Sequence, residues 1–269
     1  MEALRLQRDG GVAVLTLARP ASRNALDEVL REELLAVLPR LSEDDSLRAL
    51  VIQGEGGAFC AGGDLKGIGG ARLDADGWRR RMARGHQWLK PLLALDCPII
   101  TAVDGAAYGA GFSLALCGDF LLVGPRARFC MSFLRVGLMP DLGGLPALCA
   151  ALGPRRAREL VLSAREVSAD EALRLGLASE ALDSDRLPGR ALEIAKAFEG
   201  ASPAAVAMIK NEIRHLTAGD SDDLLHREAV GQAVLFDTSA HRDAVDRFLN
   251  KKPAAFQWPR DRSGEQHDS

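Results

Sequence analysis

The 269-residue sequence lacks any stretch of the roughly 18 consecutive apolar residues that a membrane span requires, so no bilayer crossing is expected. It also lacks a basic excess: 34 lysines and arginines stand against 37 aspartates and glutamates, a formal charge of −3. Such a chain has no overall attraction for a polyanion, which argues against nucleic acid as a partner. No C-x-x-C pair occurs, and the cysteines, Cys60, Cys97, Cys117, Cys130 and Cys149, are odd in number. Their apolar surroundings predict buried free thiols in a reducing compartment. Arg5, Arg8 and Asp9 interrupt the apolar run of a signal peptide, so the cytoplasm is the expected location. His215, His226, His241 and His267 fall in the last third of the chain and suggest no metal cluster. There is no Walker loop, and Gly109-Ala110-Gly111 is followed by neither Rossmann spacing nor a distal acid.

What is present is a chain with 47% hydrophobic residues, ample for a sizeable core. Gly11–Leu17, Ala49–Ile52, Pro98–Val103, Phe120–Val123 and Arg128–Phe133 read as strands, with helical patterns after Asn24, from about Trp78, over Phe112–Cys117 and after Gly144. Asn24 is the expected cap of the first helix, with Asp27 and Glu28 in its first turn. Lys66–Asp76, rich in glycine and charge, reads as a mobile loop before a helix from about Trp78 to Leu95. Strands alternating with helices define an α/β class. From Ser168 the pattern is all helical: Ser168 and Glu171 form a capping box, and Ser202-Pro203 starts a further helix. Two regions are expected, a core over 1–200 and a helical segment over 201–269.

The stretch Asp104–Gly144 organises the rest. It opens on a glycine turn (Gly105, Gly109, Gly111) directly after an apolar strand and before a short apolar helix, Phe112–Cys117. A strand, glycine turn and helix leave N–H groups unpaired at the helix start, and small residues let a ligand touch the backbone. An earlier turn, Cys60-Ala61-Gly62-Gly63-Asp64, has the same character.

Together, Gly57–Leu65 (GAFCAGGDL) and Pro98–Leu116 (PIITAVDGAAYGAGFSLAL) resemble the crotonase, or enoyl-CoA hydratase/isomerase, superfamily. The likeness runs from Arg19-Pro20 and Asn24-Ala25-Leu26 to the helical tail. It implies a spiral of repeated β-β-α turns with a C-terminal helical region that builds trimers or dimers of trimers. It implies an acyl-CoA thioester substrate, with no cofactor beyond the CoA moiety. Gly63 and Ala110 then match the two oxyanion-hole donors, acting through their backbone N–H groups. Arg23, Ala25, Ala61, Gly62, Asp64, Leu65 and Lys66 become candidates for the CoA channel, and Phe133 for the acyl pocket. Asp64 is a possible catalyst, but the expected role is to tie down its own turn.

The chain departs from the hydratases of that superfamily. Their two glutamates are replaced by Ser113 and Phe133, neither of which is a carboxylate acid or base. Adding water across a double bond needs a base for the water and an acid for carbon. One carboxylate remains: Asp141, in Gly137-Leu-Met-Pro-Asp141-Leu-Gly-Gly144. That segment resembles isomerases of the superfamily, including the ring-opening isomerase of phenylacetyl-CoA breakdown. Asp141 reads either as the cap of the helix after Gly143 or as the acid/base of a double-bond shift, its pKa raised by apolar neighbours. His86 resembles in position the histidine of a dehalogenase branch, which would make Asp141 a nucleophile. The expected activity is therefore acyl-CoA isomerisation. Alternatives are a hydratase with weak or no hydration, a hydrolase or dehalogenase using Asp141 and His86, and a non-catalytic acyl-CoA binder.

Overall fold

The computed structural model describes residues 1–71, 73–217, 221–253 and 255. Two strands, β1 (Leu4–Asp9) and β2 (Val12–Leu17), form an antiparallel hairpin closed at Gly10, which takes φ 60°. Helix α1 (Glu28–Ser42) follows. Three β-β-α turns come next. The first is β3 (Ala49–Gly54), β4 (Ala58–Cys60), a short α2 (Leu65–Gly70) and α3 (Ala75–Leu93). The second is β5 (Ile99–Val103), β6 (Ala106–Tyr108) and α4 (Ala110–Ala115). The third is β7 (Phe120–Val123), β8 (Arg128–Cys130) and α5 (Gly144–Ser163), which breaks at Gly153. After them come β9 (Val167–Ser168), α6 (Ala169–Arg174), β10 (Glu180–Ala181), α7 (Leu187–Ala197), α8 (Pro203–Thr217), α9 (Ser221–Phe236) and α10 (Ser239–Leu249).

The first strand of each turn joins one sheet, ordered β1-β2-β3-β5-β7-β10, and the second joins another, β4-β6-β8-β9. Pairing is parallel from β2 to β10, in the register Val12↔Ala49, Leu50↔Ile99 and Ile100↔Phe120. Buried on both faces, these strands are nearly continuous in apolar residues, as parallel strands must be. Alternation sorts them: Leu50, Ile52 and Ile99 face the main core, whereas Ala49, Val51 and Ile100 face Leu187, Ala191 and Ala195 of α7. All five cysteines are free thiols. Among the described residues no helix is long and apolar enough to cross a membrane.

Several expectations are corrected. Asp27 caps α1, accepting from Leu30 N (2.9 Å). Asn24 is instead fully buried with φ 56° and holds three strands of chain together. Its Oδ1 accepts from Arg19 N (2.8 Å), and its Nδ2 donates to Glu55 O (3.0 Å) and Ala58 O (2.8 Å). The glycine-rich segment after Gly63 is not a loop throughout, because Asp64 caps α2 through Lys66 N and Gly67 N. The strand expected over 128–133 stops at Cys130, and Phe133 lies in a 3-10 turn, Ser132–Val136, closed by Gly137 at φ 70°.

The helical region expected to pack on a neighbour packs in part on its own chain. One stripe of α9, made by Leu225, Glu228, Ala229, Gln232, Ala233 and Phe236, is buried at helical spacing. Phe236 stacks on Trp78 of α3 with centroids 4.0 Å apart. Helix α10 lies against α2, where a Cβ on Gly69 would stand 2.8 Å from Val245. The side chains of His215, Leu216 and Leu224, and all of His267, lie outside the described residues.

Replacing Asn24 with alanine strands the carbonyls of Glu55 and Ala58 and the N–H of Arg19. Urea denaturation should show a loss of about 2–4 kcal/mol. A loss under about 0.5 kcal/mol would show that these bonds do not hold the turn.

Candidate active site

The site begins with two neighbouring strands. β4 and β6 pair in parallel, Ala58↔Ala106 and Cys60↔Ala107, so the turns at their ends lie side by side. Gly62 takes φ 91° and Gly109 φ 53°. A Cβ on Gly62 would come within 2.5 Å of Tyr108 O and 3.4 Å of Ala110 N; one on Gly111 would stand 2.1 Å from Cys60 O. Backbone meets backbone here, and glycine is the residue that permits it. Gly63 follows the first turn and Ala110 opens α4 after the second. Among the described residues, neither Gly63 N–H nor Ala110 N–H finds a backbone acceptor. Ala110 is buried and Gly63 is open to solvent. N–H groups left without backbone acceptors on two neighbouring turns are the elements from which an oxyanion site is made.

The CoA-channel candidates gather at this place. Leu26 N donates to Gly62 O (2.8 Å) and Ala61 N to Arg23 O (3.0 Å), which lays Arg23, Asn24 and Ala25 along the first turn. Asp64 is spent on capping α2, accepting from Lys66 N and Gly67 N at 3.1 Å each. Leu65 is half-buried; the Arg23 and Lys66 side chains are exposed. The Phe133 ring faces the second turn, its Cζ 3.8 Å from where a Gly109 Cβ would be. Ser113 is buried in α4 against Gly144, and its Oγ has no partner among the described residues.

Asp141 does not cap α5. The cap position belongs to Gly143, with no side-chain bond to it. Asp141 Oδ2 accepts from Gln232 Nε2 of α9 (3.2 Å). Its Oδ1 is sealed from solvent and has no partner among the described residues, although the residue as a whole keeps some exposed surface. Burial pushes the Asp141 carboxyl up to about 8, and the Glu228 carboxylate pushes the same way; the Gln232 amide pulls it down. The Asp141 loop abuts α4 through Gly144, whose N–H bonds Asp141 O (3.0 Å).

Sequence reasoning did not find Glu228 or Gln232. Leu142 and Gly143 both take positive φ, 53° and 68°, and their N–H groups point at one spot. Glu228 fills it: Oε1 accepts from Leu142 N (2.7 Å) and Oε2 from Gly143 N (2.9 Å). His86 Nε2 lies 3.0 Å from Glu228 Oε1. His86 therefore supports the Asp141 loop through Glu228, and its ring nitrogen is not offered to Asp141 as a nucleophilic route would need. The detectable signal was Glu228 and Gln232 at i and i+4 on an otherwise apolar helix face. Among the described residues no three His, Cys, Asp or Glu side chains form a metal-binding group.

The two-sheet α/β spiral is the crotonase fold. A profile of the enoyl-CoA hydratase/isomerase family matches residues 7–259. A probable enoyl-CoA hydratase of Rhodobacter capsulatus is 37% identical over 94% of this chain and 97% of its own length. The 1,2-epoxyphenylacetyl-CoA isomerase of Escherichia coli is 31% identical over 95% of this chain and 98% of its own. A solved enoyl-CoA hydratase/isomerase from Cupriavidus metallidurans superposes with a TM-score of 0.76 at 39% identity, covering 97% of this chain and 98% of that one. The chain belongs to the enoyl-CoA hydratase/isomerase family.

The carboxyl carbon of Asp141, followed by NMR in 13C-labelled protein, should titrate near pH 8. Glu228→Gln removes a like charge and should move the midpoint down; Gln232→Leu removes a bond to the ionised form and should move it up. A wild-type midpoint near the ordinary carboxylate value of about 4 would refute the burial argument.

Proposed function

We propose that this protein is an acyl-CoA isomerase that shifts a double bond through a thioester enolate. The observation that supports it is Asp141, a sealed carboxyl poised near neutral pH in a loop packed on α4, which opens at a free backbone donor. The thioester oxygen would accept from Gly63 N–H and Ala110 N–H. As negative charge grows on that oxygen the two donors strengthen, and they need no reorganisation. The ionised Asp141 takes a proton from one carbon of the acyl chain, and the enolate spreads over the conjugated chain. Asp141 then returns the proton to another carbon. One carboxyl suffices because the step adds nothing and removes nothing.

Hydration needs a second acid or base, and Ser113 and Phe133 occupy the places where hydratases of the family carry glutamates. The names of the relatives include both hydratase and isomerase. Arg23, Ala25, Ala61, Gly62, Leu65 and Lys66 line the CoA side in this reading, Asp64 holds its turn, and Phe133 bounds the acyl pocket. Helix α8 exposes Met208 and Ile209, an apolar surface that fits assembly into a trimer or a dimer of trimers. The free thiols fit a cytoplasmic setting.

The test is incubation with enoyl-CoA isomers in deuterium oxide, with the α and γ carbons monitored for label. Wild type should exchange label and interconvert isomers, and Asp141→Asn should lose about 10²–10⁴ in rate. Because the base form starts the reaction, kcat/KM should rise with pH and level off above about 8. Unimpaired turnover by Asp141→Asn would overturn the assignment. Ala110→Pro deletes one donor at the first position of α4, where proline fits a helix. It should cost about 2.7–4 kcal/mol in the transition state with the fold retained.

A further inference from the structure

The second glycine turn is gripped from outside the site by a side chain that the reaction above does not use. Tyr108, the only tyrosine of the chain, is the last residue of β6. Gly109 follows with φ 53° and ψ −122°, and then comes Ala110. A glycine has no side chain to be held by and few steric limits on its dihedrals. Tyr108 is therefore the last residue before Ala110 N at which a side chain can fix the backbone. The same residue meets the first turn: its carbonyl oxygen lies 2.5 Å from where a Cβ of Gly62 would stand, and Gly63 is next along the chain. Tyr108 thus stands between the two donors.

The half-buried Tyr108 donates its hydroxyl to Glu166 Oε1 at 2.5 Å. A short bond to a carboxylate belongs to the stronger class of hydrogen bond. It also spans the sheet. Tyr108 pairs with Cys130 of β8, and β8 pairs with β9 in the register Phe129↔Val167, which brings Glu166 alongside Cys130. Two strand spacings, about 9–10 Å, separate Tyr108 from Glu166, and two long side chains close the gap. The segment that carries Glu166 holds its other neighbours as well. Ala164 O accepts from Cys130 Sγ (3.1 Å) and from Arg135 Nη2 (2.6 Å) of the 3-10 turn. Arg165 turns instead to Glu159 and Glu171. Burial, and then the Glu166 carboxylate, push the Tyr108 hydroxyl above the usual tyrosine range, which keeps it a donor.

We propose that Tyr108 is a positioning residue: bonded to Glu166, it fixes the spacing of the Gly63 and Ala110 amides. Sheet geometry leaves the two amides open, and the tie sets how far apart they stand. The proposal rests on the acyl-CoA reading above and adds a residue to that site. Misplacing a positioned group by about 1 Å can cost about a hundredfold in rate. Deleting a donor costs about 10²–10³. Releasing the tie loosens a donor without deleting it, so the expected loss is smaller, about tenfold.

The test uses the full-length protein and hexanoyl-CoA labelled with 13C at the thioester carbonyl, which has no double bond to shift. Infrared difference spectra read the bound carbonyl stretch, which falls in frequency as donors close on the oxygen. In wild type the band should lie below that of the free ester. Tyr108→Phe keeps the ring and deletes the hydroxyl, and its band should move back toward the free position. With hex-3-enoyl-CoA as substrate, kcat should fall about tenfold while KM changes little. Glu166 is exposed, so Glu166→Ala guards against a folding defect and should reproduce both effects. Glu166→Gln keeps an acceptor oxygen and should restore most of each. A shifted wild-type band that neither Tyr108→Phe nor Glu166→Ala moves overturns the proposal. So does a fall in kcat with the band unmoved, or a loss in Glu166→Gln as large as in Glu166→Ala. A wild-type band at the free position sinks the oxyanion reading, and this proposal with it. A band that behaves as expected in a protein that converts no isomer sinks the isomerase reading and leaves the tie standing.

Discussion

The close approach of two backbone turns, at the ends of β4 and β6, is the constraint from which the site follows. Cys60 O lies where a Gly111 side chain would begin, and Tyr108 O lies where a Gly62 side chain would begin. No other residue type fits at those two positions without moving a strand, since any Cβ would fall inside a carbonyl. The approach is enforced from outside. Parallel pairing brings the strand ends level; Leu26 N to Gly62 O and Ala61 N to Arg23 O tie the first turn to the chain leading into α1, and Asn24 ties that chain to the start of β4. The two unpartnered amides are therefore a consequence of sheet geometry, not of any side chain. This explains how residues as plain as glycine and alanine can carry the chemistry proposed for them.

The carboxyl side of the site is built on the opposite logic. Asp141 is placed by charge and burial, at a visible energetic cost. Leu142 is held in the left-handed region, which costs of the order of 1–3 kcal/mol for a residue with a side chain. Glu228 is a buried carboxylate, tolerable because two backbone N–H groups and His86 satisfy it. That same charge, fixed near Asp141, raises the proton affinity of Asp141 beyond what burial alone does. One buried acid thus does two things, bending the loop into place and biasing its neighbour toward the protonated form.

The fold and the two glycine turns of the candidate site were legible in the sequence because both rest on local pattern. Continuous apolar strands, glycine turns and the Ser168 cap are written in neighbouring residues, and the structure has β3, β5, β7 and the Ser168–Glu171 bond. The misreadings share a cause. Asn24 has the chemistry of a helix cap, yet its partners, Glu55 and Ala58, are about thirty positions away, and no window of sequence shows them. Phe133 has the propensity of a strand residue, but the chain turns away once β8 has paired with β6 at Cys130. The i, i+4 spacing of Glu228 and Gln232 marks a polar pair on the buried face, but its partner was hidden for the same reason: it is a loop some ninety residues earlier. Helical periodicity shows which face of α9 is buried but not what it is buried against.

Placing those two groups on α9 has a consequence for how the molecule matures. The spiral and its two glycine turns are encoded before residue 201, whereas the groups that tune Asp141 arrive afterwards, on α9. A nascent chain holds every strand of both sheets, and both glycine turns, before the residues that contact Asp141 and pin its loop have been made. In the reading proposed above, catalysis would wait on the docking of α9 against α3, the last step that supplies Asp141 with its neighbours.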